Sequence, residues 1–164
     1  LRAAASQLDG LAPGTSLAER VLVHYGAADG MELRRLAGTK PVQELTHVLA
    51  GAVAEGDEAA LGIVEEHAGD FADYVERICR HAGVEPGADI ALVGGLWKLD
   101  ALRNRFAARL AQRMPSARIL PARLPPAAGA VMIAAERTAG ESGEHFAARL
   151  ETSFAEWKGE GPAC

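Results

Sequence analysis

The stretch Ile90–Trp97, IALVGGLW, decides the fold class of this chain. Its four leading apolar residues predict a buried strand over Ile90–Val93, and Gly94 and Gly95 predict a tight turn. Apolar residues at helical spacing then predict a helix over Leu99–Met114. Adjacent glycines let a ligand lie against the backbone, and α/β folds bind ligands at the carboxyl ends of their strands. We therefore predict a ligand site at the glycine turn.

A second short strand is predicted at Arg118–Ala122, where Pro121 favours an edge position. The helix between the two strands is a crossover connection, so the strands are expected to pair in parallel. Two strands cannot bury both faces of a sheet well. Either helices cover them in this chain, or further strands lie upstream in a longer parent chain. We favour the second alternative, because Leu1 opens directly into a helical pattern.

The rest of the chain is predicted to be helical. The longest predicted helix runs from about Glu58 to His81. A helix of small residues is predicted at Ala127–Ala135, and a last amphipathic helix spans Glu144–Trp157 before a mobile tail from Gly159. The predicted buried face of the longest helix consists of Ala60, Leu61, Ile63, Val64, Ala68, Phe71, Ala72, Val75 and Ile78.

The composition excludes several classes of protein. The 164 residues are enough for one domain with a core. A net charge of −5 argues against a nucleic-acid partner, which needs a basic surface. No apolar run approaches the roughly 20 residues that a membrane crossing needs, so no membrane partner is expected. The two cysteines, Cys79 and Cys164, form neither a disulfide framework nor a zinc site, which favours a cytoplasmic location.

Three motifs carry a resemblance to a known family. Leu92-Val93-Gly94-Gly95 resembles an adenosine motif, in which a strand ends in two glycines beside the nucleotide. Pro126–Ala135 resembles a connecting motif, a helix of small residues packed on a partner helix. The segments 19–26 (ERVLVHYG) and 54–60 (AEGDEAA), with Glu32-Leu33, resemble a helical insert. Together they resemble the C-terminal domain of the BadF/BadG-type ATPase family, and within it the N-acetylglucosamine kinase-like branch.

The resemblance implies a fold. The family belongs to the acetate and sugar kinase, heat-shock chaperone and actin superfamily, whose enzymes join two ribonuclease-H-like lobes around ATP. The fold class expected here is α/β but predominantly helical, a partial ribonuclease-H-like lobe with a short parallel strand pair and a helical insert. The lobe would span residues 1–140, with the insert at 1–84 and the nucleotide-side αβ part at 88–138. Residues 141–164 would form a terminal helix and a mobile tail.

The resemblance also implies a function, the ATP-dependent phosphorylation of N-acetylglucosamine or glucosamine. This chain would supply the adenosine side of the site through Gly94, Gly95, Leu96 and Trp97. Magnesium would act in the complete enzyme. The catalytic residues would precede Leu1, and the amino-sugar substrate would bind through the missing lobe. The isolated chain is therefore expected to be inactive, and a homodimer is a further partner to consider.

Several side chains near the turn have more than one interpretation. Trp97 either stacks on adenine or packs half-exposed against the protein. Asp100 either caps the following helix or contacts a ribose. The stripe formed by Arg103, Arg105 and Arg109 is expected to pair along the solvent face of its helix, with a phosphate contact as the alternative. The histidines, which show no metal-like spacing, are expected at surfaces or interfaces: His24, His47, His67, His81 and His145.

Two other functions are retained as alternatives. The first is an activator ATPase of 2-hydroxyacyl-CoA dehydratases or benzoyl-CoA reductases, which the resemblance implies would need cysteine ligands for an iron–sulfur cluster. Cys79 and Cys164 are poorly placed for that role. The second is a non-enzymatic helical module that binds a partner through the helix at Gly129–Ala135, where small residues allow close packing.

Overall fold

The computed structural model of the chain describes residues 1–84, 87–140 and 143–160, without the side chains of Val42 and of residues 156–160. It is mostly helical and contains a two-stranded parallel sheet, which confirms a predominantly helical α/β fold. The chain divides into two compact units. Residues 1–88 and 94–117 form the helical unit, and residues 89–93 with the chain from 118 onward form the sheet unit.

The helical unit contains six α-helices and two short 3₁₀ turns among the described residues. The turns are Val42–Glu44 and Gly95–Lys98. The helices are α1 (Arg2–Leu8), α2 (Ser16–Tyr25), α3 (Gly30–Leu36), α4 (Leu45–Ala54), α5 (Glu58–His81) and α6 (Asp100–Arg113). The sheet unit contains β1 (Asp89–Ala91), β2 (Arg118–Leu120), α7 (Pro126–Ala139) and α8 (Glu144–Glu160).

Polar side chains determine where several of these helices begin. The Thr15 hydroxyl accepts a hydrogen bond from the backbone N–H of Leu17 at the start of α2. The Asp29 carboxylate accepts one from Glu32 N at the start of α3. These caps satisfy backbone donors that the first turn of a helix leaves without intrahelical partners. The residues just before each of these helices therefore determine where the helix begins.

Asp57 caps α5 and also joins it to α2. One carboxylate oxygen accepts from the backbone N–H of Ala60 at 2.9 Å. The other accepts from the Thr15 hydroxyl and from Ser16 N, both at 2.6 Å. Desolvation alone would raise the pKa of Asp57, but these hydrogen bonds outweigh it and lower the pKa to about 2. The ionised carboxylate therefore holds two helix N-termini at one point.

Two sets of buried side chains form the core of the helical unit. One links α1–α4 to the beginning of α5 through the buried residues Ala4, Leu17, Ala18, Val21, Tyr25, Leu33, Ala52 and Ala60. The other lies along α5 and α6, which pack against each other. Its buried residues are Val64, Ala68 and Ala72 on α5, and Leu102, Phe106 and Leu110 on α6. Because small residues line α5, the two helix backbones can approach closely.

The predicted buried face of α5 is confirmed at Ala60, Val64, Ala68 and Ala72 and is wrong at Ile78, which is 47 % exposed. The ion pairs explain the difference. Arg113, the last residue of α6, pairs with Asp73 on α5. The Arg113 guanidinium also lies 3.8 Å from the Glu76 carboxylate, so the ion pairs at the end of α6 stop two residues before Ile78.

β1 and β2 pair in parallel, as predicted, with Ile90 opposite Ile119. Both strands are shorter than predicted, because β1 ends at Ala91 and β2 at Leu120. Pro121 lacks a backbone donor, which accounts for the end of β2 at the preceding residue.

Gly129 and Ala130 lie on an open part of α7, since a Cβ on Gly129 would meet nothing within 4 Å in the described structure and Ala130 is exposed. Their packing on a helix of another lobe stays a prediction. One helix boundary in this unit differs from prediction. α8 continues through Gly159 to Glu160, beyond the predicted end at Trp157. The rest of the predicted tail, residues 161–164, lies outside the described residues. No helix in the described ranges is both long enough and apolar enough to cross a membrane.

We expect Asp57→Ala to lower the free energy of unfolding by about 2 kcal/mol, because it removes a helix cap and two further hydrogen bonds to a charged group. Asp57→Asn should remove the part of the pH dependence of the free energy of unfolding that comes from this carboxylate. The folded-state pKa of Asp57 is depressed from 3.8 to about 2. Its contribution to stability is therefore complete above about pH 4 and is lost as the pH falls toward 2.

Urea denaturation between pH 2 and pH 7 measures both effects. Asp70→Ala is the matched control, since the Asp70 carboxylate is two-thirds exposed and pairs only with His67 in its own helix. Equal losses of stability in Asp57→Ala and Asp70→Ala would contradict the role assigned to Asp57.

Candidate nucleotide site

The two glycines of the turn have different backbone roles. Gly94 has φ +105° and ψ 165°, a region essentially restricted to glycine. Gly95 has no such positive φ and begins the 3₁₀ turn Gly95–Lys98. Because β1 ends at Ala91, Leu92 and Val93 separate the strand from the glycines, and the predicted strand over Ile90–Val93 is correspondingly too long. The chain therefore passes from β1 through a short linker and a 3₁₀ turn into α6.

An open cleft of about 660 Å³ lies between α4 and the Gly95–Lys98 turn, entirely within the helical unit. This size is typical of a small-molecule site. We call it the glycine cleft. The residues that line it are Gln43, Thr46, His47 and Ala50 on one side and Gly95, Leu96, Lys98 and Leu99 on the other. Of the four predicted binding residues, the cleft thus brings together Gly95 and Leu96, while Gly94 and Trp97 are not part of its lining.

The lining of the glycine cleft is amphipathic. Ala50, Leu96 and Leu99 offer apolar surface, and the Gln43 amide both donates and accepts hydrogen bonds. The Lys98 ammonium adds an exposed positive charge. Such a lining suits a flat heteroaromatic ring that carries hydrogen-bonding edges and an attached anionic group. Sequence reasoning missed Gln43, Thr46 and His47, because only the packing of α4 and of the 3₁₀ turn before it brings them opposite the glycines.

Trp97 packs against the protein. Its ring centroid lies 5.4 Å from that of Phe71 on α5 and 4.9 Å from that of Phe106 on α6. The side chain is half-buried, in keeping with the packing interpretation. These tilted aromatic contacts attach the 3₁₀ turn to the two longest packed helices of the unit. Trp97 therefore fixes the position of its neighbour Leu96 in the glycine cleft.

Asp100 and Arg103 pair with each other at the start of α6, with 2.7 Å between the charged atoms. Asp100 is the first residue of that helix, which begins after Leu99 without a side-chain cap. The prediction that Asp100 caps the helix is therefore wrong, because the chain enters the helix one residue earlier than a capping aspartate would require.

The other two arginines of the stripe pair with another helix. The Nε atoms of Arg105 and Arg109 lie 2.8 Å and 2.9 Å from the Glu65 carboxylate on α5. The hydrogen bond from Arg109 lowers the pKa of Glu65 most, and the positive charge of Arg109 and the hydrogen bond and charge of Arg105 lower it further. The prediction of pairing is confirmed, but the partner is α5 rather than the solvent face of α6. Both guanidinium groups are occupied by a carboxylate.

The remaining candidate ligands do not form a metal centre. Among the residues that the structure describes, no three His, Cys, Asp or Glu side chains are grouped to hold a metal ion. Cys79 is half-buried and unpaired, and Cys164 lies outside the described residues. His67 pairs with Asp70 at 3.3 Å on the exposed face of α5.

Comparison with protein-family models and with curated proteins found no match to this sequence.

Gly94→Ala and Gly95→Ala should have different effects on the free energy of unfolding. We expect Gly94→Ala to cost about 1–3 kcal/mol, because alanine is strained at φ +105°. Gly95→Ala should leave the free energy of unfolding unchanged or raise it by up to about 1 kcal/mol, since a Cβ at Gly95 meets nothing within 4 Å. Chemical denaturation of the two variants measures the difference. A loss in Gly95→Ala as large as that in Gly94→Ala would contradict the assigned backbone roles.

Proposed function

We propose that this chain is the C-terminal lobe of an ATP-dependent sugar kinase, similar to N-acetylglucosamine and glucosamine kinases, and that it binds the adenosine side of ATP. The single observation that carries the proposal is the glycine cleft, a ligand-sized space of about 660 Å³ with Gly95 at its edge. The motif resemblance supplies the enzyme class and the ribonuclease-H-like fold. We also propose a cytoplasmic location, because ATP is available there and the two cysteines of the sequence form no disulfide framework.

The chemistry of the lining supports adenosine as the ligand. In the proposed complex, the adenine ring lies on the apolar surface of Leu96, Leu99 and Ala50, and the Gln43 amide pairs with its polar edge. Gly95 has no side chain, so the nucleotide can approach its backbone closely. The Lys98 ammonium favours the phosphate side of the nucleotide electrostatically.

Phosphoryl transfer needs groups beyond this cleft. ATP with its magnesium ion supplies the transferred phosphoryl group in such kinases. In this proposal the chain binds and orients the nucleotide, and magnesium, held largely by the nucleotide's phosphates, acts in the complete enzyme. The acceptor amino sugar and the catalytic groups belong to the other lobe in this proposal, and the isolated chain should show no ATP turnover.

The proposal predicts that ATP and adenosine bind to this chain at the glycine cleft. In ¹⁵N-resolved NMR titrations, we expect shifts at Gly95, Leu96 and Lys98. Gly95→Ala should weaken ATP binding by about 10-fold or more, because a methyl group takes space that the nucleotide needs; this corresponds to about 1.4 kcal/mol. The matched control is Gly62→Ala, at an exposed position of α5 where a Cβ also meets nothing within 4 Å.

Two results would contradict the proposal. One is the absence of any ATP-dependent shift around the glycine cleft, and the other is equal ATP affinity in Gly95→Ala and Gly62→Ala. The expected inactivity of the isolated chain has its own test: ATP turnover that Gly94→Ala abolishes would show that the chemistry lies within the chain rather than in another lobe.

The structure gives little support to the activator ATPase. Cys79 lies within α5, half-buried, and no second cysteine stands near it in the described part of the chain. An iron–sulfur cluster shared between two subunits takes four thiolates, two from each chain, and the other cysteine of this sequence, Cys164, lies outside the described residues.

The exposed surface of α7 favours the interaction module as a second candidate. Ile133 is 55 % exposed and lies one helical turn after Gly129, beside which the space is open, whereas Val131, 45 % exposed, lies on the other side of the helix. In the kinase proposal a helix of the other lobe covers this face, whereas in the interaction module a second copy of the chain covers it. The exposed apolar residues would drive either contact.

For the second candidate we expect concentration-dependent dimerisation in size-exclusion chromatography with light scattering, abolished by Ile133→Lys. Met31→Lys is the matched control, since Met31 is an exposed apolar residue of α3. Dimerisation without ATP binding would favour the interaction module. ATP binding at the glycine cleft favours the kinase lobe, and a chain that stays monomeric at all concentrations would remove the second candidate.

A further inference from the structure

The glycine cleft has a basic side chain on each of its two walls. Lys98 lies on the wall that contains Gly95, and His47 lies on the facing wall, on α4. Both residues are exposed, so a ligand in the cleft can reach their side chains. The proposed function uses Lys98 for the phosphate side of the nucleotide, and it assigns no role to His47.

The spacing of the residues on this wall turns His47 toward the glycine cleft. Gln43, His47 and Ala50 are four and three residues apart, and all three line the cleft. Residues at this spacing lie on one side of a helix. His47 therefore belongs to the surface of α4 that faces the Gly95–Lys98 turn.

The lining of the glycine cleft lacks negative charge. The sequence has a net charge of −5, yet no Asp or Glu lines the cleft among the described residues. Two carboxylates adjoin the lining in sequence, and both face other groups. Asp100 pairs with Arg103, and the Glu44 carboxylate lies 3.6 Å from Nε2 of His24. The charges of the lining therefore favour an anionic ligand.

Lys98 and His47 have no internal partners for their side chains. Within the described part of the chain, neither side chain makes an ion pair or a hydrogen bond. Arg105 and Arg109 of the same unit differ, because both pair with Glu65. The ammonium and the imidazole on the walls of the cleft are thus available to the oxygen atoms of a bound anion.

His47 also lines a second cleft, of about 590 Å³, between α2 and α4. The titratable groups there are Glu19, Arg20, His24 and Glu55. Arg20 and Glu55 pair with each other, and Nε2 of His24 is inaccessible to solvent. Glu19 is exposed. Its carboxylate favours a protonated His47, and it competes with a bound anion for that imidazole.

We propose that His47 contacts the phosphate chain of the nucleotide from the wall opposite Lys98, and that this contact makes ATP binding stronger as the pH falls. Histidine is the side chain that changes charge between about pH 5 and pH 8. The protonated ring donates a charge-assisted hydrogen bond to a phosphate oxygen, and the neutral ring lacks that charge. The inference rests on the proposed function, because the anion is the phosphate chain of the proposed nucleotide.

ATP titrations of the full chain at pH 5.5 and pH 8 test the inference. We expect the ratio of the two affinities to be about threefold larger in the unmodified protein than in His47→Gln, since an exposed charge contact contributes modestly. The phosphates of ATP titrate in the same range, but this effect is common to both proteins. His81→Gln is the matched control, at an exposed histidine of α5 outside the cleft lining, and should keep the unmodified ratio.

Two further variants separate the charge of His47 from a structural effect. His47→Lys stays charged at both pH values, so it should bind ATP about threefold more tightly than the unmodified protein at pH 8. Its affinity ratio should equal that of His47→Gln. Glu19→Gln should keep the larger ratio of the unmodified protein. Loss of the pH effect in Glu19→Gln would contradict the inference, because it would show that His47 acts by pairing with Glu19.

Neutral and purely anionic probes distinguish failure of this inference from failure of the proposed function. Adenosine, which lacks phosphates, should bind equally at both pH values. If adenosine binds but the ATP ratios of His47→Gln and the unmodified protein are equal, the inference fails and the proposed function stands. If neither adenosine nor ATP binds, the proposed function fails. Tripolyphosphate then decides the inference: binding with the same dependence on His47 would support the phosphate contact, and no binding would overturn it.

Discussion

The arrangement of the helical unit depends on one carboxylate, that of Asp57. It accepts hydrogen bonds from the Thr15 hydroxyl and Ser16 N at the start of α2 and from Ala60 N at the start of α5. Asp57 follows the end of α4 by three residues, so it also limits where α4 can lie. Since α4 forms one wall of the glycine cleft, this local hydrogen-bond arrangement contributes to the geometry of the candidate site.

The opposite wall of the glycine cleft depends on α5 and α6. Phe106 is fully buried, and Trp97 rests on it and on Phe71. The Glu65 carboxylate on α5 pairs with Arg105 and Arg109 on α6, and these ion pairs fix the register of α5 against α6. Exposed ion pairs contribute little to stability, and the buried aromatic and aliphatic side chains supply most of it. The ion pairs therefore select one register among several that the small residues of α5 would permit.

The sequence predicted well those features that local chemistry controls. The helix start at Glu58 follows from the Asp57 cap, and the parallel pairing of Ile90 with Ile119 follows from strand–helix–strand order. Gly95 and Leu96, which the sequence predicts as binding residues, line the glycine cleft, but the presence there of Gln43, from the 3₁₀ turn before α4, and of Thr46, from α4, was not predictable. Their proximity to the glycines depends on how α4 packs, and no periodicity or motif in a single sequence records that packing.

The two adjacent glycines of the turn do different work, and only one of them belongs to the candidate site. Gly94 occupies a backbone region that only glycine tolerates, and it lies outside the lining of the glycine cleft. Gly95 belongs to that lining, and a Cβ there would meet nothing within 4 Å of the described residues. The strained position therefore shapes the chain between β1 and α6, whereas the open position is the one that the proposed ligand would approach.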